Sequence, residues 1–359
     1  MGRRTDRPET IFFCYPALES RGGAEKILRD LALHFSSKFR VFVLSGDSSR
    51  AWKSLDFPKD IRHRFVPCGN RNILKAGLSL AFLAIYLLLY KPALVHSHHR
   101  RLTLLFSALK GRSPVKFRLL HTSHNVFHTG KLFGRARCDR LTGVSRAIVK
   151  NLTEDFRFDA GKVDLIHNGI EELRGNFMPA RENAAVVVAR LMRQKGHIYA
   201  IRAWAEVVKK VPSASLYIVG EGELKPELER LVRGLGLSDR IFFPGFSSDP
   251  RAWMQKTKFG ILPSLWEGLP LFPLEAFSVK RTVVATAVDG TPEIVIDGKT
   301  GLLVPPEDVS KLAEAVVFMF RNEEARDKMA EEGHRMFKET FTREAMLRQY
   351  EECYDDLLR

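Results

Sequence analysis

The chain has 359 residues, 45% of them hydrophobic and 28% charged, and a formal net charge of +15. That length exceeds one ordinary core and that balance excludes a disordered chain, so two globular domains are expected. Four scattered cysteines (Cys14, Cys68, Cys138 and Cys353) without a CxxC pair exclude a disulfide framework; they read as buried or incidental thiols in a reducing compartment.

The charge is lopsided. Residues 1–170 carry 30 Lys and Arg against 13 Asp and Glu, and the rest carry 27 against 29. The stretch 51–150 is the extreme, with 19 basic residues and three acids. Such a half predicts an anionic partner: phospholipid head groups, a phosphorylated glycolipid or nucleic acid. A solvated basic surface without a partner is the alternative. The first residues, Met1 to Arg7, are charged and lack an apolar core, so no secretory signal is expected.

Taken in order, short apolar runs alternate with helical patterns. Strands are expected at 11–15, 40–44, 94–97, 117–122, 141–144 and 163–167, with helical segments at 24–35, 73–90 and 146–156. Within the second of these, Ala76–Tyr90 is strongly apolar over 15 residues, short of the roughly 20 that span a bilayer. It predicts a helix packed on a sheet; a helix dipping into a membrane surface is the second reading. After about residue 180 the pattern repeats, with strands at 184–189, 215–219, 241–243, 259–262, 282–286 and 301–304. Helices are expected at 198–210, 225–235 and 271–277, and an almost wholly helical tail beyond Val309. Strand–helix alternation means parallel sheets covered on both faces. The fold class is therefore α/β with two doubly wound domains, their boundary between Asn168-Gly169 and the polar stretch 179–183. Ligands of such sheets bind beyond the carboxyl ends of the strands, so two facing domains would make a cleft there.

Four clusters follow expected strands. Gly22-Gly23 precedes a helix start whose N–H groups suit an anion, although plain loop chemistry is the simpler reading. Arg190 and Lys195 place two cations after the strand 184–189, which suits a diphosphate or a solvated basic loop equally. Six of the 11 histidines, His96, His98, His99, His121, His124 and His128, fall within 33 residues. No acid lies between Asp60 and Asp139 and no Cys lies among them, so hydrogen bonding to a substrate or polar lining is expected rather than a metal site. The last cluster embeds Glu267 and Glu275 in an apolar, proline-marked stretch from Ser264 to Phe277. Each acid needs a polar partner to justify its desolvation, and a sugar nucleotide would serve. Gly268 and Pro270 carry helix-start chemistry, leaving the N–H groups of Leu269 to Phe272 for a phosphate or sugar oxygen. The plainer reading is an acidic cap region with Glu275 paired to an arginine.

Together these residues resemble the retaining GT-B glycosyltransferases of family four. The Gly-Gly loop, the Arg190-Leu…Lys195-Gly segment, Val219-Gly220-Glu-Gly222, Phe243-Pro-Gly245, the E-x7-E segment, Gly290-Thr-Pro-Glu293 and Thr300 to Val304 appear in the family's order. The likeness is most specific over residues 186–305. It implies two Rossmann-like domains facing a cleft: residues 1–175 for the acceptor, 176–340 for the nucleotide sugar, and a helix over 341–359 crossing back to the first.

The resemblance also implies roles. Arg190 and Lys195 would grip the donor diphosphate, with Gly22 and Gly23 in the donor loop. Glu275 would accept from ribose hydroxyls, Glu267 would contact the donor sugar, and Phe243 to Phe246 would meet the base. His124 matches the first-domain histidine near the reacting sugar, with His121 close by. Gly268, Leu269, Pro270 and Leu271 would line the donor site. No metal or cofactor is implied beyond the nucleoside-diphosphate sugar, in keeping with the absence of a DxD triplet.

The implied activity is retaining transfer of a sugar to a glycan or lipid-linked acceptor in lipopolysaccharide, exopolysaccharide or glycolipid synthesis. The implied location is cytoplasmic, at the inner face of an anionic membrane, with no nucleic acid partner. A sugar-nucleotide epimerase of the same fold is the alternative enzyme, and an anionic-lipid or nucleic-acid binding protein the non-catalytic one. The chain departs from the family at Lys280-Arg281-Thr282, where Gly-x-Pro is usual, and at Asp289-Gly290, where Gly-Gly is usual.

Overall fold

The computed structural model describes residues 8–18, 22–47, 52, 57–68, 73–173, 175, 180 and 182–359, residues 73–75 by their backbone alone. All of Met1–Arg7 and of 176–179, and hence the residues just after the expected 175/176 boundary, lie outside the described residues. Two units are present: Met1–His167 with Met346–Arg359, and Asn168–Ala345.

The first unit holds seven strands: β1 (Thr10–Cys14), β2 (Arg40–Ser45), β3 (Arg62–Phe65), β4 (Leu94–Ser97), β5 (Arg118–Ser123), β6 (Arg140–Gly143) and β7 (Val163–Leu165). Their order is β3-β2-β1-β4-β5-β6-β7, and every neighbouring pair is parallel. A strand covered on both faces reads as an unbroken apolar run, and all five residues of β1 are buried. The covering helices include α1 (Gly23–Phe35), α2 (Ile73–Tyr90), α3 (Arg100–Lys110) and the short α4 (Arg146–Lys150), which runs on as a π-helical turn through Asp155. Helix α1 buries Ile27, Leu28, Leu31, Ala32 and Phe35, one face at helical spacing.

Edge strand β3 and helix α3 carry no signal in the sequence reading. Arg-His-Arg-Phe lacks an apolar alternation; the strand pairs in parallel with β2, and Arg64 packs it there. The Arg64 guanidinium lies 5.3 Å from the Phe42 ring and 5.1 Å from that of Tyr90, and its Nε donates to the Tyr90 hydroxyl at 2.6 Å. Helix α2 sits on the unit through Leu83 and Leu87, yet Leu78, Ile85 and Leu88 are each 51% exposed and Leu89 65%. Among the described residues no helix is long and apolar enough to cross a membrane.

The second unit holds β8 (Ala184–Val188), β9 (Ser215–Val219), β10 (Ile241–Gly245), β11 (Phe259–Leu262), β12 (Val283–Thr286) and β13 (Leu302–Val304). Their order is β10-β9-β8-β11-β12-β13, again all parallel. Helices α5 (His197–Lys210), α6 (Lys225–Gly234), α7 (Pro250–Lys256), α8 (Leu271–Ser278), α9 (Val309–Arg321) and α10 (Glu323–Thr340) accompany it. Its core centres on Trp204, Phe259 and Phe320, the last ring 6.0 and 4.9 Å from the other two.

The final helix, α11 (Arg343–Leu358), belongs from Met346 onward to the first unit. There the Tyr354 ring stacks on Phe35 at 4.2 Å, and Glu351 accepts from Lys38 while meeting His34 at 3.0 Å. In both sheets the strand order reverses beside the first strand, between β1 and β4 and between β8 and β11. Crevices beyond the carboxyl ends of such strand pairs are the ligand sites of open α/β sheets.

Candidate functional site

In the second unit the loops after β8 and β11 are tied into one piece. After β8 the chain passes Arg190 and makes a tight turn at Arg193–Lys195. Gly196 follows with φ 61°, and a Cβ there would lie 1.9 Å from the Pro263 carbonyl oxygen. Only glycine permits that approach. It lets Leu265 N donate to the Gln194 carbonyl at 2.8 Å and Gln194 Nε2 donate to the Trp266 carbonyl at 2.9 Å.

At the centre of this joint the Lys195 ammonium donates to Glu267 Oε1 at 2.5 Å. The Ser264 hydroxyl donates to the same oxygen at 2.7 Å. Glu267 is 5% exposed, so the ammonium and the hydroxyl supply the polar partners its desolvation demands. The sequence resemblance implies separate grips on diphosphate and sugar for these two residues; in the structure they hold each other. Arg190 has an exposed side chain. Its carbonyl accepts from His197 Nε2 at 3.0 Å, a buried ring whose pKa burial pushes down to about 4.

The two departures from the family pattern fall on strained backbone. Lys280 has φ 54° and Asp289 φ 42°, in the left-handed region that favours glycine. At Asp289 the carboxylate accepts the Glu267 N–H at 2.8 Å, so the side chain that strains the turn also fastens the acidic loop. Lys280 pairs with Glu331 at 2.9 Å.

Leu269, Gly268 and Pro270 are buried, Leu271 partly so, and Pro270 opens α8 without a side-chain cap. Glu275, one turn along α8, is buried. Asn168, which the sequence reading took only as a turn signal, donates through Nδ2 to the Leu269 carbonyl at 3.0 Å. Its Oδ1 and the Thr291 hydroxyl are buried without a hydrogen-bond partner. Phe243 is partly exposed within β10, and Gly245, φ 89°, accepts the Gly220 N–H at 2.8 Å.

In the first unit Gly22 caps α1 and Gly23 begins it. A Cβ on Gly22 would lie 2.6 Å from Glu25 Oε2. The carboxylate of Glu25 thus folds back on the helix start that the sequence offered to an external anion, a favourable place for a negative charge.

The histidines stand at the carboxyl ends of β4 and β5. His96 Nδ1 meets the Tyr354 hydroxyl at 2.6 Å, and its Nε2 meets Thr122 Oγ1 at 2.7 Å. Thr122 also contacts Thr142 at 2.6 Å and Tyr350 at 3.1 Å, and His121 Nδ1 meets Thr103 at 2.8 Å. His98 Nδ1 lies 2.9 Å from Nε2 of His124, which is partly exposed while the other three are buried. Burial lowers the pKa of His96, His98 and His121 well below the ordinary value and that of His124 to about 4. All four are therefore neutral near pH 7. Among the described residues no cluster of His, Cys, Asp and Glu could hold a metal ion. All four cysteines are free and buried.

Known proteins resemble this chain in sequence and in fold. Residues 170–336 match the family model for glycosyl transferases group 1, and residues 21–173 match that for Glycosyltransferase Family 4. Alpha-D-kanosaminyltransferase of Streptomyces kanamyceticus is 33% identical over 162 residues, which are 45% of this chain and 42% of that protein. A poly(glycerol-phosphate) alpha-glucosyltransferase of Bacillus subtilis is 30% identical over 44% of this chain and 24% of its own length. The matched segment thus spans less than half of these curated relatives. A Campylobacter jejuni N-acetylgalactosaminyltransferase that acts on a diphospho-undecaprenol-linked sugar is 26% identical over 85% of this chain and 88% of that protein. Anabaena HepE, solved with UDP and glucose, superposes with a TM-score of 0.82 at 18% identity over 97% of this chain and all of that one. At that identity the likeness speaks to fold, and the fold is that of the GT-B neighbours, two Rossmann-like parallel-sheet units with a helical C-terminal segment. In chain order, a segment similar to the Glycosyltransferase Family 4 model is followed by one similar to the glycosyl transferases group 1 model.

Proposed function

We propose that the protein is a retaining, metal-independent glycosyltransferase that moves a sugar from a nucleoside-diphosphate sugar to a glycan or lipid-linked acceptor. The observation that carries this reading is the joint beyond β8 and β11, where Lys195, Glu267 and Ser264 form a fixed polar cluster beside the exposed Arg190. Arg190 and Lys195 bind the diphosphate, and their charge stabilises the phosphate oxygen that takes the bonding pair as the anomeric C–O bond breaks. The acceptor hydroxyl oxygen bonds to the anomeric carbon on the face the diphosphate leaves, and its proton passes to the departing phosphate. Glu275 accepts from the ribose hydroxyls, and Glu267, shielded by Lys195, orients sugar hydroxyls rather than attacking. His124 contacts the sugar.

The acceptor is presented at an anionic membrane surface on the cytoplasmic side. The exposed Leu78, Ile85, Leu88 and Leu89 of α2 support this, as does the excess of 19 basic residues over three acids in 51–150.

Incubating the protein with UDP-, GDP-, ADP- and dTDP-sugars, with and without EDTA, and assaying nucleoside diphosphate release tests the reading. Release from one donor, unchanged by EDTA, is expected, together with loss of donor binding in Glu275→Ala. No release or binding across the panel would refute it.

A further inference from the structure

His98 and His124 make one contact with an unequal remainder. Their nitrogens are 2.9 Å apart, with ring planes at 19° and centroids 5.2 Å apart. The two nitrogens thus lie between the rings, which meet edge to edge in nearly one plane, the direction an imidazole N–H points. Each ring is neutral and so carries one proton. The His98 backbone is pinned by its N–H to the Cys14 carbonyl at 3.0 Å, and its ring sits 4.1 Å from that of His96. His98 Nε2 is buried without a partner.

Two arrangements of the shared proton are open. If His124 donated from Nε2, the proton of His98 would be left on its own Nε2, an N–H buried with no acceptor. If His98 donates from Nδ1, only a lone pair is left unpartnered there. The orphaned N–H is the rarer and costlier defect. We infer that His98 is a positioning residue that donates Nδ1–H to His124 Nε2, fixing the His124 proton on Nδ1. The partly exposed ring of His124 therefore offers a hydrogen-bond donor, suited to a hydroxyl or carbonyl oxygen, and no free base at the ring edge that meets ligand. That the oxygen belongs to a donor sugar rests on the proposed function; the tautomer does not.

Burial lowers the pKa of His98, with lesser contributions from His96, His124 and His121, and Phe13 packs on His98 at 6.3 Å.

The test is a long-range proton–nitrogen correlation spectrum of the full chain labelled with nitrogen-15 in histidine, with His124 assigned from its absence in His124→Gln. His124 is expected to show a protonated-type Nδ1 and a lone-pair-type Nε2. His98→Asn, which keeps a donor near the Nδ1 position, should preserve that pattern, and His98→Leu should replace it with a tautomer mixture and lower sugar transfer about tenfold, one hydrogen bond's worth. A wild-type His124 protonated at Nε2, or a pattern unmoved in His98→Leu, overturns the inference; the wild-type spectrum decides alone should the leucine variant not fold. Failure of the glycosyltransferase reading would look different, as absent nucleotide release with this tautomer intact.

Discussion

At the strand ends of the first sheet the polar groups are buried and neutral, while at those of the second they are an ion pair. At the carboxyl ends of β4 and β5, His96 bonds Thr122 and Tyr354, His121 bonds Thr103 and His98 bonds His124. Beyond β8 and β11, Lys195 and Glu267 neutralise each other under a serine hydroxyl. The same strand order thus houses two ways of keeping polar groups out of water. Neutral rings give donors and acceptors whose placement depends on tautomer; an ion pair gives charges that can re-partner on an anion. The first suits hydroxyls and the second phosphate.

Acid should separate the two most strongly. Folded-state pKa values below the unfolded value of about 6.5 mean that the folded chain binds fewer protons. The stability these groups contribute is whole above that pH and is lost as pH falls toward about 4. In the first unit His96, His98, His99, His121 and His124 are all lowered by burial; in the second, His197 is. With each group worth up to about 1.4 kcal/mol per pH unit, the first unit should lose roughly several kcal/mol between pH 6.5 and 5. Hydrogen exchange resolved by unit should show its amides losing protection first, and equal loss in both units would dissolve the contrast.

Next in size is Gly196→Ala. A methyl 1.9 Å from the Pro263 oxygen forces the two loops apart, and about 3 kcal/mol of stability should be lost, with chemical denaturation as the readout. A loss below 1 kcal/mol would mean the joint is looser than described. Lys195→Met should cost about 2 kcal/mol, since it leaves the Glu267 carboxylate buried with only Ser264; the partial exposure of Lys195 keeps the figure below that of a fully enclosed pair. Smallest is the surface effect. Leu88→Ser with Leu89→Ser removes two exposed side chains of α2, and partitioning onto phosphatidylglycerol vesicles should fall about tenfold, or about 0.7 kcal/mol for each leucine only partly buried by lipid. Unchanged partitioning would remove α2 from the membrane reading.

Much of the fold was legible because buried parallel strands announce themselves as apolar runs and helices as periodic faces. β3 was not, because its pairing with β2 is supported by Arg64 lying over Phe42 and Tyr90, a contact that no local pattern encodes. Helix α3 hid behind its histidine cap, with Leu102 and Phe106 buried beside Thr103 and Ser107. At the candidate site the residue types could be picked out and their partners could not. Lys195 and Glu267 are 72 positions apart, and only the approach at Gly196 brings them together. Asp289 was visible as an odd residue in place of glycine; that its carboxylate fastens the Glu267 amide follows from a backbone turn no spacing reveals.

The central claim is that the second unit's loops bind a nucleoside diphosphate through Arg190 and Lys195. Calorimetric titration of the full chain with UDP, GDP, ADP and dTDP, repeated on Arg190→Met, tests it most directly. Saturable binding of at least one nucleotide, weakened tenfold or more in the variant by loss of a charge-assisted contact worth about 1.5–3 kcal/mol, is the predicted result. Binding of none of the four, or equal affinity in wild type and variant, would contradict it.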